Sequence, residues 1–189
     1  YQYDLKAMAK KINANTKIIY LANPDNPTGS YFNKADFDKF MERVPSRALV
    51  ILDEAYFEYA AFKDDYPDSM NYRYDNVITL RTFSKAYGLA GLRVGYGFAH
   101  ESLISNLMKV KLPFEPSIPA QAAAIAALDD VAYLNSALDL NKKQMFRIEE
   151  ELSSRDLSFI KSSANFITIV FHSEQMATAF TENFLREGF

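Results

Sequence analysis

The segment from residue 82 to residue 93 combines side chains that could bind a phosphorylated carbonyl compound. It reads Thr-Phe-Ser-Lys-Ala-Tyr-Gly-Leu-Ala-Gly-Leu-Arg, with the lysine at position 85. A lysine amine can form a Schiff base with a carbonyl group. The hydroxyls of Thr82 and Ser84 and the guanidinium of Arg93 are suited to binding phosphate. If a turn brings these groups to Lys85, the segment can bind a compound that carries both an aldehyde and a phosphate.

Pyridoxal 5′-phosphate (PLP) is a cofactor with both groups, and Asp53 is suited to bind its ring. Asp53 follows the apolar run 48–52, which predicts a buried strand, and a carboxylate there is costly without a partner. The protonated ring nitrogen of PLP would be that partner, and the pairing would keep the ring able to accept electrons. Alternatively, Asp53 caps the following turn or orients a magnesium ion. The neighbouring Glu54 is predicted to be structural.

Tyr56 and Asn26 are candidate partners of the cofactor's 3-oxygen. Tyr56 follows Asp53 by three residues, about one helical turn, so the two side chains can face the same site. Two donors to one oxygen, the Tyr56 hydroxyl and the Asn26 amide, would stabilise its ionised form. The alternatives are a core aromatic for Tyr56 and an ordinary Asx turn before Pro27 for Asn26. Taken alone, Lys85 would usually be a surface lysine beside a turn, and it is the flanking pattern that favours a cofactor role.

The hydrophobic pattern predicts an α/β fold in which a mostly parallel sheet has helices on both faces. Strands are predicted at 17–22, 48–52, 76–80, 94–99 and 166–171. Helices are predicted to begin after Asp4 and Asn33, and to cover 101–111, 119–128, 131–153 and 174–186. Polar clusters at 23–29, 53–56 and 82–85 each follow a strand. Because ligands of such sheets bind at the carboxyl ends of the strands, the three clusters are predicted to form one site.

Composition restricts the function classes. Of the 189 residues, 49% are hydrophobic and 24% charged, and the net charge of -3 argues against a general nucleic-acid surface. The chain has no cysteine, which excludes disulfides and thiolate metal sites, and His100 and His172 lie too far apart in sequence for a metal-ligand pattern. With no apolar run long enough to span a bilayer and no signal peptide at Tyr1, we predict a cytoplasmic enzyme and no membrane partner.

Three motifs resemble those of the fold type I PLP enzymes, and among these the class I and II aminotransferases. Residues 23–29 resemble the NPxNPTG loop, residues 53–56 the DEAY strand end, and residues 82–96 the lysine segment. Their order and spacing match the family through essentially the whole chain. Within the family, residues 82–96 and the later Ser-Ala-Asn-Phe at 163–166 are most similar to histidinol-phosphate aminotransferases.

The resemblance implies a role for each candidate residue. Lys85, Asp53 and Tyr56 would be catalytic, with Lys85 carrying the cofactor and later moving a proton. The cofactor-binding residues would be Lys85, Asn26, Asp53, Tyr56, Thr82, Ser84 and Arg93. Residues 1–140 would form a PLP-binding large domain whose N-terminal part is missing, and residues 141–189 a connecting helix and part of a small α+β domain. Both ends are therefore expected to be cut from a longer polypeptide. Glu115 departs from the asparagine expected in the family at that position.

The implied reaction is transamination between histidinol phosphate and 2-oxoglutarate in histidine biosynthesis, by a homodimer. More generally, the partners would be an amino acid or amino-alcohol phosphate and a 2-oxo acid. Alternatives are an aromatic or aspartate-type aminotransferase and an enzyme similar to threonine-phosphate decarboxylase. Other classes also stay open: a non-catalytic PLP-binding regulatory domain, or an α/β domain with no cofactor.

Overall fold

Four strands form the main sheet of the computed structural model, which describes residues 1–189. They are β1 (Ile18–Ala22), β2 (Leu49–Asp53), β3 (Val77–Thr82) and β4 (Gly95–Ala99). Their spatial order is β1-β2-β3-β4; the first three run parallel, and β4 is antiparallel to β3. The predicted α/β fold with a mostly parallel sheet is therefore confirmed.

Seven α-helices and a second, two-stranded sheet complete the chain. The helices are α1 (Leu5–Lys11), α2 (Lys34–Met41), α3 (Phe57–Ala60), α4 (Glu101–Met108), α5 (Ile118–Asp129), α6 (Val131–Ser154) and α7 (Glu174–Arg186). The small sheet pairs β5 (Phe159–Ile160) with β6 (Thr168–Ile169) in antiparallel orientation. None of the helices is both long and apolar enough to cross a membrane.

The main core lies between the sheet and helices α1 and α2. Leu21, Val50 and Leu52 alternate with more exposed residues along β1 and β2, and they pack with Phe37 and Phe40 of α2 in one buried cluster. Burying a side chain of this size stabilises the fold by about 1.5–3 kcal/mol relative to leaving it exposed. The opposite face of β1 is more open, because Ile18 and Tyr20 are exposed there. This packing fixes the carboxyl ends of β1 and β2 side by side.

The predicted helix starts follow from capping side chains. The Asp4 carboxylate accepts a hydrogen bond from the Ala7 backbone N–H, and the Asn33 side chain accepts one from the Asp36 N–H at 2.9 Å. Such a cap satisfies a backbone donor that has no partner inside the helix. The helices predicted at the two positions therefore begin where the sequence indicates.

Strand boundaries differ from the prediction by more than one residue in two places. β3 continues beyond Leu80 to Thr82, because Arg81 and Thr82 pair with Tyr96 and Gly95 of β4. The strand predicted at 166–171 is only Thr168–Ile169, and its partner β5 was not predicted. Two-residue strands are too short to give a periodic signal. The predicted domain boundary after residue 140 falls inside α6, and that division stays a prediction.

Candidate active site

Five of the seven predicted site residues line one cavity at the carboxyl ends of β2 and β3. Its volume is about 370 Å³. The lining residues are Asp53, Ala55, Leu80, Arg81, Thr82, Ser84, Lys85, Ala90 and Arg93. The parallel pairing of β2 with β3 brings their carboxyl ends to the same edge of the sheet. A larger groove between α1 and α2, of about 830 Å³, contains none of the predicted site residues.

The remaining two predicted residues, Asn26 and Tyr56, contact each other beside this cavity. The Asn26 side-chain amide donates a hydrogen bond to the Tyr56 hydroxyl oxygen at 3.0 Å. Tyr56 is buried, and its ring packs edge-on against Phe166 with 5.2 Å between the ring centroids. The Lys85 Nζ lies 5.2 Å from the centroid of the Tyr56 ring. The structure therefore brings the amine, the phenol and the amide into one neighbourhood.

Both carboxylate oxygens of Asp53 accept a hydrogen bond. The Oδ1 atom accepts one from the Ala55 backbone N–H at 3.0 Å, which is the turn-capping arrangement considered as an alternative. The Oδ2 atom accepts one from the Tyr20 hydroxyl. An ionised carboxylate can accept about four hydrogen bonds, so capping the turn leaves Asp53 able to bind a further donor in the cavity.

The candidate phosphate ligands adjoin one another where β3 ends. The Thr82 hydroxyl accepts a hydrogen bond from the Ser84 N–H at 3.1 Å, and the Arg93 guanidinium donates to the Ser84 hydroxyl at 3.5 Å. Arg93 also donates to the Ala90 carbonyl at 2.8 Å. Its backbone has a left-handed φ of 52°, which costs a non-glycine residue on the order of 1 kcal/mol or more. The guanidinium of Arg93 therefore lies beside the Ser84 hydroxyl, at the end of a turn with a left-handed backbone.

A buried ion pair adjoins the cavity, and its arginine, Arg81, is one of the lining residues. Arg81 binds the Glu54 carboxylate at 2.8 Å, and its guanidinium stacks 3.3 Å from the centroid of the Phe57 ring. The Ser69 hydroxyl donates to the same Glu54 oxygen at 2.8 Å, and Asp68 contacts Arg81 at 3.1 Å. Burial raises the pKa of Glu54 to about 7, although Arg81 and Ser69 both lower it. This position agrees with the structural role predicted for Glu54, because the pair joins β2 to β3.

Glu58 is a second buried carboxyl group that sequence reasoning did not single out. It lies in α3, and its Oε2 atom has no hydrogen-bond partner. Burial raises its pKa to about 7, since only its own backbone N–H and the more distant Arg81 charge oppose the effect. Its residue type and its position in the sequence do not distinguish it from an ordinary surface glutamate.

The loop that carries Asn26 is held by the C-terminal part of the chain. The Ser163 N–H donates to the Gly29 carbonyl at 2.7 Å, and the Thr168 hydroxyl donates to the Pro27 carbonyl. Gly29 has a φ of 69°, and a Cβ atom there would lie 2.0 Å from the Ser162 hydroxyl oxygen. Only glycine therefore fits at this crossing, where residues 162–168 close over the loop.

Tyr20 is the other site contact that sequence reasoning missed. The strand pattern could have indicated it, because Tyr20 and Ala22 share one face of β1, and Ala22 is in register with Asp53. The hydrophobic pattern predicts only that Tyr20 lies in the strand at 17–22.

Comparison with known proteins gives consistent matches over the whole chain. The family model for aminotransferases of class I and II matches residues 1–189. Histidinol-phosphate aminotransferase 2 of Carboxydothermus hydrogenoformans is 48% identical over 174 residues, which cover 89% of this chain and 47% of that protein. The Bacillus subtilis histidinol-phosphate aminotransferase is 44% identical over 171 residues, covering 89% of this chain and 47% of its own length.

Solved structures agree with these matches. Histidinol-phosphate aminotransferase from Sinorhizobium meliloti, in complex with pyridoxal-5′-phosphate, superposes with a TM-score of 0.90 at 33% identity over 99% of this chain and 51% of that one. Aspartate aminotransferase from Thermus thermophilus with maleate, at 20% identity and a TM-score of 0.79 over 88% of this chain and 45% of its own, supports the fold alone. The chain spans about half the length of the curated relatives it matches. By its sequence and its fold, the chain belongs to the class I and II aminotransferases.

Proposed function

We propose that this chain carries the cofactor site of a PLP-dependent aminotransferase. The observation that carries the proposal is the single cavity lined by Asp53, Thr82, Ser84, Lys85 and Arg93. Each of these side chains matches one chemical group of PLP: an amine for the aldehyde, a carboxylate for the ring nitrogen, and two hydroxyls with a guanidinium for the phosphate. The donor set therefore fits this cofactor.

Each residue has a distinct task in the proposed reaction. Lys85 would bind the aldehyde carbon covalently and, once released by the substrate amine, would move the proton at the substrate α-carbon. Asp53 would hold the ring nitrogen protonated, and Asn26 and Tyr56 would bind the ring 3-oxygen. Bound PLP supplies an electron-accepting ring for the negative charge that develops at that carbon. Thr82, Ser84 and Arg93 would fix the phosphate and so the orientation of the ring.

Histidinol phosphate with 2-oxoglutarate is the substrate pair that we propose for the whole protein. Relatives that carry the name histidinol-phosphate aminotransferase, at 44–48% identity, support it. The structural match of 33% identity to the Sinorhizobium meliloti enzyme points the same way. The aromatic or aspartate-type specificity, which the resemblance to the family also allows, is the second candidate.

Association into a homodimer is also part of the proposal. Large apolar side chains are exposed on the segment that connects α4 and α5 and at the first residue of α5; they include Val110, Leu112, Phe114 and Ile118. Exposed apolar groups of this kind favour burial against another protein surface.

Sedimentation of the whole protein tests the dimer, and cell fractionation tests the proposed cytoplasmic location. The domain division after residue 140 is a proposal that limited proteolysis can test.

Covalent capture of the cofactor tests the role of Lys85. We expect PLP to give a new visible absorbance band with this chain, and borohydride reduction to fix one cofactor molecule on the peptide that contains Lys85. The Lys85→Ala variant should give neither result. Lys63→Ala is the matched control, because Lys63 also lies over an aromatic ring, 5.0 Å from the centroid of Tyr31, but outside the cavity. Label on another lysine in the wild type, or an unchanged band in Lys85→Ala, would refute the assignment.

A comparison of amino donors tests the proposed substrate. With the whole protein and 2-oxoglutarate, histidinol phosphate should be consumed with a higher kcat/KM than phenylalanine or aspartate. A preference for either amino acid would instead support the second candidate.

A further inference from the structure

Tyr20 is half-exposed in the middle of β1, yet its hydroxyl has a defined partner. It donates a hydrogen bond to Asp53 Oδ2, while Asp53 Oδ1 accepts one from the Ala55 N–H at 3.0 Å. The relative exposure of Tyr20 is 51%, so the residue contributes only part of its ring to packing. The contact with Asp53 is therefore the more specific feature of its position.

The register of the sheet makes this contact possible. In the parallel pair β1 and β2, Tyr20 lies opposite Ile51 and Ala22 lies opposite Asp53. Tyr20 is thus a diagonal neighbour of Asp53, two residues away on the same face of the sheet. An aromatic side chain is long enough to bridge that distance. A one-residue change of register would turn Tyr20 to the other face and break the contact.

Two donors on different oxygens restrict rotation of the Asp53 carboxylate. A hydrogen bond to an ionised acceptor is stronger and more directional than one between neutral groups. The carboxylate keeps free acceptor positions on both oxygens after these two bonds. We propose, on the basis of the proposed PLP site, that Tyr20 is a positioning residue that orients the Asp53 carboxylate toward the ring nitrogen of the cofactor.

The chemistry of Tyr20 suits this task over a wide pH range. Burial, together with the hydrogen bond to Asp53 and its negative charge, raises the pKa of Tyr20 to about 12. The phenol therefore stays protonated at neutral and moderately alkaline pH and continues to donate. A phenylalanine at this position would keep the ring and lose only the donor.

A pair of cofactor analogues separates positioning from a merely structural role. The probes are PLP and 1-deazapyridoxal 5′-phosphate, in which a C–H group replaces the ring nitrogen. Both bind the phosphate and aldehyde ligands, but only PLP can pair with Asp53. The readout is the Kd of each probe, measured by absorbance titration on the full chain, and the ratio of the two values reports the Asp53 contact.

We expect wild type to prefer PLP and Tyr20→Phe to lose much of that preference. The Kd for PLP should rise about tenfold, as for the loss of one hydrogen bond to a charged group, while the Kd for the deaza probe stays nearly unchanged. The matched control is Tyr31→Phe, which removes another tyrosine–aspartate hydrogen bond, to Asp65 at 2.8 Å, outside the cavity. It should leave both Kd values unchanged.

Three other outcomes would overturn the inference. If Tyr20→Phe weakens both probes equally, with a lower midpoint of thermal unfolding, Tyr20 supports the structure and does not orient Asp53. If Tyr20→Phe keeps the full preference for PLP, the hydroxyl has no role in binding. If the wild type itself binds neither probe, the proposed PLP site fails, and the role of Tyr20 fails with it; the first two outcomes leave the PLP site intact.

Discussion

Two groups of polar side chains near the ends of β2 and β3 have different surroundings, although Asp53 and Thr82 of one group are the sequence neighbours of Glu54 and Arg81 of the other. The cavity group lines the open cavity and consists of Asp53, Thr82, Ser84, Lys85 and Arg93. The buried group consists of Glu54, Glu58, Ser69 and Arg81, and of these only Arg81 also contributes to the cavity lining. Members of the cavity group keep donors and acceptors available, whereas most of the buried group bind one another.

The difference arises from the alternation of side chains in a strand. Successive residues point to opposite sides, so Asp53 and Glu54 separate, as do Arg81 and Thr82. At each strand end, the side chains on one side can then bind a ligand, while those on the other side hold the two strands together. Substitutions in the buried group are expected to change mainly the free energy of unfolding, and substitutions in the cavity group mainly the affinity for the cofactor.

The largest effect is expected for Arg81→Met. The variant removes the only cation bound to Glu54 and leaves a buried carboxylate without its partner. Loss of one member of a buried pair lowers the free energy of unfolding by about 3–5 kcal/mol. The measurement is denaturant-induced unfolding followed by circular dichroism. Arg155→Met, which breaks an exposed pair with Glu151 on α6, is the control and should cost at most about 1 kcal/mol. Equal losses in the two variants would contradict the distinction.

The next effect is a change in the pH dependence of stability in Glu58→Gln. Burial raises the pKa of Glu58 from 4.5 to about 7 in the folded chain, so the folded state holds the proton more tightly than the unfolded state. Its contribution to stability is therefore complete below about pH 4.5 and is lost as the pH rises to about 7. The difference in pKa corresponds to about 3 kcal/mol.

Unfolding free energies measured from pH 4.5 to pH 8 check this expectation. The decrease with pH should be smaller by about 3 kcal/mol in Glu58→Gln than in wild type. Glu54 continues to titrate in both proteins, so the comparison isolates Glu58. The control is Glu151→Gln on the exposed surface of α6, which should keep the wild-type slope. An unchanged slope in Glu58→Gln would show that burial does not raise the pKa of this carboxyl group above its value in the unfolded chain.

The smallest effects come from removing one hydroxyl in each group. Ser84→Ala should raise the Kd for PLP by about three- to tenfold, as expected for the loss of one hydrogen bond. It should change the free energy of unfolding by less than about 0.5 kcal/mol. Ser69→Ala removes the hydroxyl that donates to Glu54 and should lower the free energy of unfolding by about 1 kcal/mol. Its Kd for PLP should match that of wild type. The two variants can be compared directly because each removes a serine hydroxyl. If both change the Kd for PLP and the free energy of unfolding to a similar extent, the distinction between the two groups is wrong.

Much of the fold could be predicted because its strands and helices are long enough to carry a periodic pattern. The helix α7 has the predicted bounds, and α6 differs from its predicted end by one residue. The errors in the strands concern Arg81 and Thr82 of β3 and the two-residue strands β5 and β6, and the helix predicted at 101–111 ends at Met108. In the strands, backbone pairing with a partner about 8 to 15 residues away decides the structure, and the side-chain pattern of the short segment does not record it.

The site residues that follow the strands could be predicted from the order of strands and loops in the sequence. Those whose position depends on burial could not. The loops after β1, β2 and β3 must meet at one edge of a parallel sheet, which brings Asn26, Asp53 and Lys85 together. The burial of the Glu58 side chain and the contact of Tyr20 with Asp53 both follow from tertiary packing. Neither residue type nor spacing distinguishes Glu58 from an ordinary surface glutamate.

The contact between Thr168 and Pro27 has a consequence for folding kinetics. The two residues are 141 positions apart, so the hydrogen bond closes a very long loop. Contacts of such high sequence separation are slow to form, because the entropy of loop closure opposes them until much of the fold is in place. During synthesis from the N-terminus, the loop that bears Asn26 emerges long before the segment that secures it. We therefore expect the geometry around Asn26 to be completed late in folding, after the parallel sheet is paired.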